Sequence, residues 1–185
     1  MTGARHAAAV AAGLTALLAF SSAATAQDGC PGGTAIPSRA NAGRAAAGTL
    51  CDVNAQRRAY GLAPLRWNRR LARAARRMAW DMGARNYFGH VNSAGQDLRA
   101  RIAATGYASR VSSWAIGENI AWGSGSLSTP DEIIAAWLAS PDHRQNMLSP
   151  SFREVGIGVV QGSPIAGNAS GAIFVADFGV RHRAR

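Results

Sequence analysis

The sequence predicts an α+β layered domain that closes with an antiparallel hairpin, and three observations carry that prediction. Leu71, Ala75, Met78 and Met82 recur at i, i+4, i+7 and i+11, the spacing of one buried helical stripe. Thr129-Pro130-Asp131-Glu132 opens a second apolar helix with a capping box, a proline at the first helical position and acids in the first turn. Val155 to Val160 and Ala172 to Phe178 are β-branched and aromatic runs separated by a long turn, Gly162 to Gly171. Helices before and between strands, with a hairpin last, give layers of helix on sheet. No internal repeat is present.

The first 26 residues read as a secretory leader. Arg5 and His6 precede the apolar stretch Ala7 to Phe20, and the small residues Ala24-Thr25-Ala26 predict cleavage after Ala26. That stretch falls short of the roughly 20 residues a bilayer needs, and no second one follows. Cys30 lacks the leucine and small residues that precede a lipidated cysteine. A secreted or periplasmic chain with no transmembrane segment after cleavage is therefore expected. Residues 27–47 form an N-terminal arm, residues 48–180 a single domain large enough to bury a core, and residues 181–185 a mobile basic tail. A monomer is expected.

The formal net charge is +10, and every positive side chain is arginine. An arginine-rich face attracts anionic partners such as cell-wall polymers or lipopolysaccharide. Nucleic acid is set aside, because an exported protein rarely meets it. Cys30 and Cys51 are the two cysteines, and in an oxidising compartment they are expected to pair. The bridge would tie the arm to the first helix and contribute about 3 kcal/mol in the chain-entropy model. No nearby histidine completes a metal set around them.

A first helix is expected over Arg44 to Tyr60, with Leu50, Val53 and Tyr60 facing inward and Gly61 ending it. Leu62 to Leu65 then crosses to Asn68, the N-cap of the methionine-striped helix. Gly83 loosens its last turn before Tyr87-Phe88-Gly89-His90. After the turn Asn92 to Gly95, a shorter helix near Asp97 to Thr105 turns Leu98, Ile102 and Ala103 inward, and Gly106-Tyr107 ends it. Trp114, Ile116, Ile120 and Trp122 alternate around Glu118, so Val111 to Trp122 reads as a strand preceded by a loop. Gly123 to Ser126 is a flexible turn. Ile133, Ile134, Trp137 and Leu138 form the stripe of the capped helix, and capping accounts for Glu132. Pro141 disfavours a helical conformation at Ser140, so the helix breaks there and restarts, presenting His143, Arg144 and Asn146. Gly156 and Gly158 leave one strand face bare for a helix to approach closely.

Ordered segments then carry a family pattern from about Leu50 to Gly179. They are Asn54 and Arg57, Leu65-Arg66-Trp67-Asn68 into Leu71, Phe88-Gly89-His90, Arg101 with Gly106-Tyr107, and Gly117-Glu118-Asn119. Trp137, Ser140-Pro141, His143-Arg144, Asn146, Gly156 with Gly158 and Phe178-Gly179 complete the set. Together they resemble the CAP superfamily of cysteine-rich secretory proteins, antigen 5 and pathogenesis-related proteins, in its bacterial SCP-like branch. The resemblance implies a three-layer α-β-α sandwich with a small, mainly antiparallel central sheet. It also implies a cleft in which His90, Glu118 and His143 can hold zinc or another divalent cation. Asn119, Ser140, Arg144 and Asn146 would support that cleft, and no organic cofactor is expected. The eukaryotic branches place a second glutamate shortly after the tryptophan that Trp137 matches. Here Leu138-Ala139-Ser140 carries no acid, which weakens metal affinity unless Asp142 or a distant acid substitutes.

Neutral imidazoles bind zinc-like ions well, and one carboxylate completes a two-histidine, one-acid set with an open position. Glu118 can equally orient a histidine from behind. The chain lacks a Gly-x-Ser-x-Gly elbow, a His-Glu-x-x-His motif and a P-loop. Ser140 lies three residues before His143 across the break, which argues against a serine nucleophile. Three functions remain open. The leading one is an exported binding protein, for which the resemblance implies a lipid or sterol, an envelope polymer or another protein as ligand. The others are a metal-dependent hydrolase, with His90, Glu118 and His143 as its catalytic candidates, and an adhesive structural protein that needs only the arginine-rich surface.

Overall fold

The computed structural model describes residues 30–166 and 170–183, so the expected leader lies outside the described residues. In chain order the elements are α1 (Ala42–Ala59), β1 (Arg66–Trp67), α2 (Arg69–Arg85), α3 (Leu98–Ala103) and β2 (Val111–Gly123). A 3-10 turn (Gly125–Ser128), α4 (Pro130–Ala139), α5 (Pro141–Met147), β3 (Glu154–Gln161) and β4 (Ala172–Arg183) follow. The four strands are ordered β1-β3-β4-β2. β3 and β4 form the expected hairpin and β2 joins β4 antiparallel, whereas β1 runs parallel to β3. With two residues, β1 is too short to show alternation in the sequence. No described helix is long and apolar enough to cross a membrane.

Side chains of successive strand residues point to opposite faces, and this alternation sorts the core into two layers. On one face, Val155, Ile157 and Val159 of β3 and Phe174, Ala176 and Phe178 of β4 meet Ala45, Ala46 and Val53 of α1. Ile133, Ile134 and Trp137 of α4 join the same cluster. On the other face, Ile120, Ile173 and Val175 meet Ala75, Met78, Ala79 and Met82 of α2. Leu71 and Ala74 extend that layer to Ile102 and Tyr107. The domain is therefore a helix–sheet–helix sandwich. Full burial of Leu71, Met78 and Met82 holds α2 on the sheet with roughly 5–9 kcal/mol.

Asn68 starts α2 by accepting hydrogen bonds from the backbone N–H groups of Arg70 and Leu71, at 2.9 and 3.3 Å. Leu71, Ala75, Met78 and Met82 are all buried, as the stripe requires. Gly156 and Gly158 let α2 come down on the sheet without side chains between. A Cβ at Gly156 would collide with the backbone nitrogen of Ala72, and one at Gly158 with that of Arg76. Cys30 and Cys51 are disulfide-bonded, with 5.6 Å between their Cα atoms. The arm thus docks on α1, and it reaches α4 through Asp131 N–H donating to Gly33 O at 3.0 Å.

Several expectations need correction. α1 begins at Ala42, and Tyr60 lies outside it and is exposed. Ala103 faces solvent, because the six-residue α3 turns only Arg101 and Ile102 fully inward. The turn after β2 is an ordered 3-10 segment fastened by Ser128 Oγ donating to Gly125 O at 2.6 Å. Thr129 accepts from Glu132 N–H at 3.4 Å, but its own N–H goes to Ser126 O, so only half of the capping box forms. The basic tail does not start at Arg181. β4 continues to Arg183, and Arg181 pairs with Glu154 at 3.0 Å.

Candidate functional site

Three elements deliver the site. α2 ends at Asn86 in a left-handed conformation, with φ 54°, and the chain then loops back over Asp81. Tyr87 Oη donates to Asp81 at 2.6 Å, and Ser93 donates through N–H and Oγ at 2.8 and 2.9 Å. Burial opposes ionisation of Asp81, yet these bonds and Arg85 outweigh it and hold the carboxyl below its ordinary range. His90 sits within this pinned loop, and its carbonyl accepts from Arg101 Nη2 at 3.2 Å.

Glu118 lies in β2 with its side chain only 1% exposed. Its Oε1 is 2.8 Å from His90 Nδ1, and its Oε2 accepts from Arg101 Nη2 at 2.7 Å. Across the ladder its register partner is Asp177 of β4, which is fully buried and whose two oxygens meet no donor among the described residues. Burial first, and then the nearby Glu118 carboxylate, push the Asp177 pKa well up, with Arg101 opposing. Asp177 thus places a second, fully buried carboxyl behind Glu118. The hydrogen bond to Glu118 raises the His90 pKa against the opposing effect of burial.

α5 brings His143. Its backbone is fastened to β2 by Asn119 Nδ2 donating to His143 O at 2.9 Å. Asn146 Nδ2 donates to Glu118 O and Asn119 Oδ1 at 3.2 and 3.0 Å. Gly117 makes this approach feasible, since a Cβ there would lie 2.7 Å from Asn146 Oδ1. Burial lowers the His143 pKa, and the charge of His90 lowers it further, so the two imidazoles sense each other. Their ligand atoms and those of Glu118 do not all fall within 4.8 Å of one another. Among the described residues the group that does is Cys30, Cys51 and Asp52, whose sulfurs form the disulfide.

The sequence-selected supports divide. Asn119 and Asn146 join β2 to α5 as described. Arg144 donates to Tyr60 Oη at 2.9 Å and lies over its ring. Ser140 marks the break between α4 and α5 but makes no capping bond through its side chain.

A family model described as CAP, the cysteine-rich secretory protein family, matches residues 50–178. The chain belongs to this family. The uncharacterized protein YkwD of Bacillus subtilis is 34% identical over 113 residues, which cover 61% of this chain and 41% of YkwD. This CAP chain thus spans less than half the length of the curated relatives it matches. An outer surface protein of Borrelia burgdorferi shares the fold with a TM-score of 0.59 at 21% identity, covering 71% of this chain and 89% of that one. An extracellular SCP-domain protein of Bacillus anthracis gives 0.54 at 24%, covering 78% and 41%.

Within the CAP fold, two residues complete the network that the sequence reading left out of the site. Arg101 is the cation behind Glu118, with its side chain 5% exposed, and Nε and Nη1 have no partner among the described residues. Asp177 is the second carboxyl. A single acid inside the otherwise apolar run Ala172 to Phe178 was its available signal. The donor chemistry suits a transition ion, because a carboxylate that holds Nδ1 of a half-exposed histidine leaves Nε2 as the ligand nitrogen. Glu118 already has a partner on each oxygen and fits the orienting role better than a direct ligand.

Proposed function

We propose that this is an exported CAP-domain binding protein whose His90 and His143 imidazoles take a divalent transition metal, zinc or a similar ion, oriented by Glu118. The supporting observation is the 2.8 Å contact between His90 Nδ1 and a buried Glu118 that Arg101 holds from behind. When bound, the ion would offer an electrophilic point for an oxygen or nitrogen of an extracellular or envelope ligand. Export is supported by the leader-like residues 1–26, by the Cys30–Cys51 bond and by kinship with an extracellular SCP-domain protein. The arginine-rich surface supports an anionic envelope ligand. Hydrolysis is less well supported: neither acid offers a free carboxylate oxygen as general base, since both Glu118 oxygens are engaged and Asp177 is buried, which leaves that role to an imidazole that the metal reading uses as a ligand.

Calorimetric titration of the mature domain with zinc tests this reading. His90→Ala and His143→Ala should each abolish binding, and Glu118→Gln should weaken it by roughly 10- to 100-fold. Affinity should fall as pH drops towards about 5, because metal ligation needs unprotonated imidazole. Identical isotherms for the wild type and both histidine variants would refute the assignment.

A further inference from the structure

A cavity of about 460 Å³ opens where the beginnings of β2 and β3 meet the last part of β4. Arg66, Arg70, Arg110, Arg153 and Arg181 line it, and Glu154 is its single acid. Glu154 does not neutralise this set. Arg181 Nε and Nη2 reach its two oxygens at 3.0 Å each, while Tyr107 Oη and Asn68 Nδ2 donate at 2.7 Å each. One arginine is thereby spent, and Tyr107 stacks under it, 4.6 Å from ring centroid to guanidinium. Arg153 gives Nη1 to the carbonyls of Pro150 and Phe152. Neither the Arg153 side chain nor those of Arg66, Arg70 and Arg110 has a carboxylate partner among the described residues.

Arg110 adds a second observation. It takes a left-handed backbone conformation, with φ 58°, just before β2. Long side chains rarely adopt that conformation, and such strain concentrates where a side chain must be aimed. Four uncompensated guanidinium groups around one hollow call for a multiply charged anion. Guanidinium forks match phosphate oxygens in pairs, as an ammonium cannot.

We propose that this cavity is a phosphate-binding site, taking either a small phosphate monoester or the phosphodiester of an envelope polymer or lipid. The inference rests on the anionic-ligand part of the proposed function and gives it a place and a chemistry, without depending on the metal site.

The test is calorimetry at low salt with inorganic phosphate, glycerol 3-phosphate and glycerophosphoglycerol, together with sedimentation with phosphatidylglycerol–phosphatidylcholine vesicles. The Arg66→Ala/Arg110→Ala variant should lose about tenfold or more in affinity for whichever phosphate binds. Arg73→Ala/Arg76→Ala removes equal charge from the exposed side of α2 and should change affinity by less than about twofold. Arg66→Lys/Arg110→Lys keeps the charge and should still bind more weakly than wild type. His90→Ala/His143→Ala should bind phosphate normally, which separates this site from the metal reading. Preference for glycerol 3-phosphate would assign soluble monoesters; preference for the diester and for phosphatidylglycerol vesicles would assign envelope phosphodiesters. Equal losses in the two alanine pairs would overturn the site while leaving a diffuse basic surface. Absence of binding to every probe would overturn both.

Discussion

Replacing Asp52 with asparagine should stabilise the protein above neutral pH and flatten its stability profile. Asp52 lies on α1 beside the disulfide, and its Oδ2 is buried with no hydrogen-bond partner among the described residues. Burial first, and then the charge and hydrogen bond of Asp131 on α4, raise its pKa from 3.8 to about 7. Between those values the folded chain keeps a proton that the unfolded chain has released. The unfolded state then binds fewer protons, so stability falls as pH rises through that window. Taken whole, the shift corresponds to about 4 kcal/mol. Asp52 is only half-buried, and solvent screening reduces that figure to about 1–2 kcal/mol. Asparagine keeps the shape, supplies an N–H towards Asp131 and has no proton to lose. Urea unfolding of the oxidised protein at about pH 4.5 and about pH 8 measures the effect. The variant should gain about 1–2 kcal/mol on wild type between the two conditions. A wild-type-to-variant difference that stays constant with pH would refute the reasoning.

Two further outcomes follow from buried contacts. Gly158→Ala should lower stability by about 1–3 kcal/mol or more, since α2 must lift off the sheet; an unchanged thermal midpoint would mean that the helix rides freely. Arg101→Met leaves Glu118 buried without its cation and should cost about 3–5 kcal/mol. Asp177→Asn removes a carboxyl whose ionisation burial and Glu118 oppose and should cost less, so the opposite ranking in urea titrations would show that Asp177 carries the charge.

Patterns with a local physical cause were legible in the sequence. The α2 stripe, the Asn68 cap, the break at Ser140-Pro141 and the bare face at Gly156 and Gly158 each depend on neighbours a few residues away. Family pattern marked His90, Glu118 and His143, and the structure joins the first two directly. Arg101 and Asp177 were harder to place, because their roles exist only across the sheet. One comes from a six-residue helix and the other from a ladder position whose register no local signal sets. Tyr60 was misplaced for a related reason: it meets Arg144 on the surface, 84 positions away in sequence.

The bare contact between α2 and β3 also constrains how this chain can vary in length. Main chain rests on main chain at Ala72 and Arg76, so neither the height nor the rotation of the helix can adjust through side-chain rotamers. Its other end launches the loop that carries His90. One residue inserted or deleted between Arg76 and Asn86 would turn that launch point by about 100° and shift it by about 1.5 Å, swinging His90 off Glu118. Seven residues, close to two turns, would nearly restore the direction but displace the loop by about 10 Å. The stretch from Arg76 to Asn86 therefore acts as a fixed gauge, and tolerated insertions should fall elsewhere in the domain.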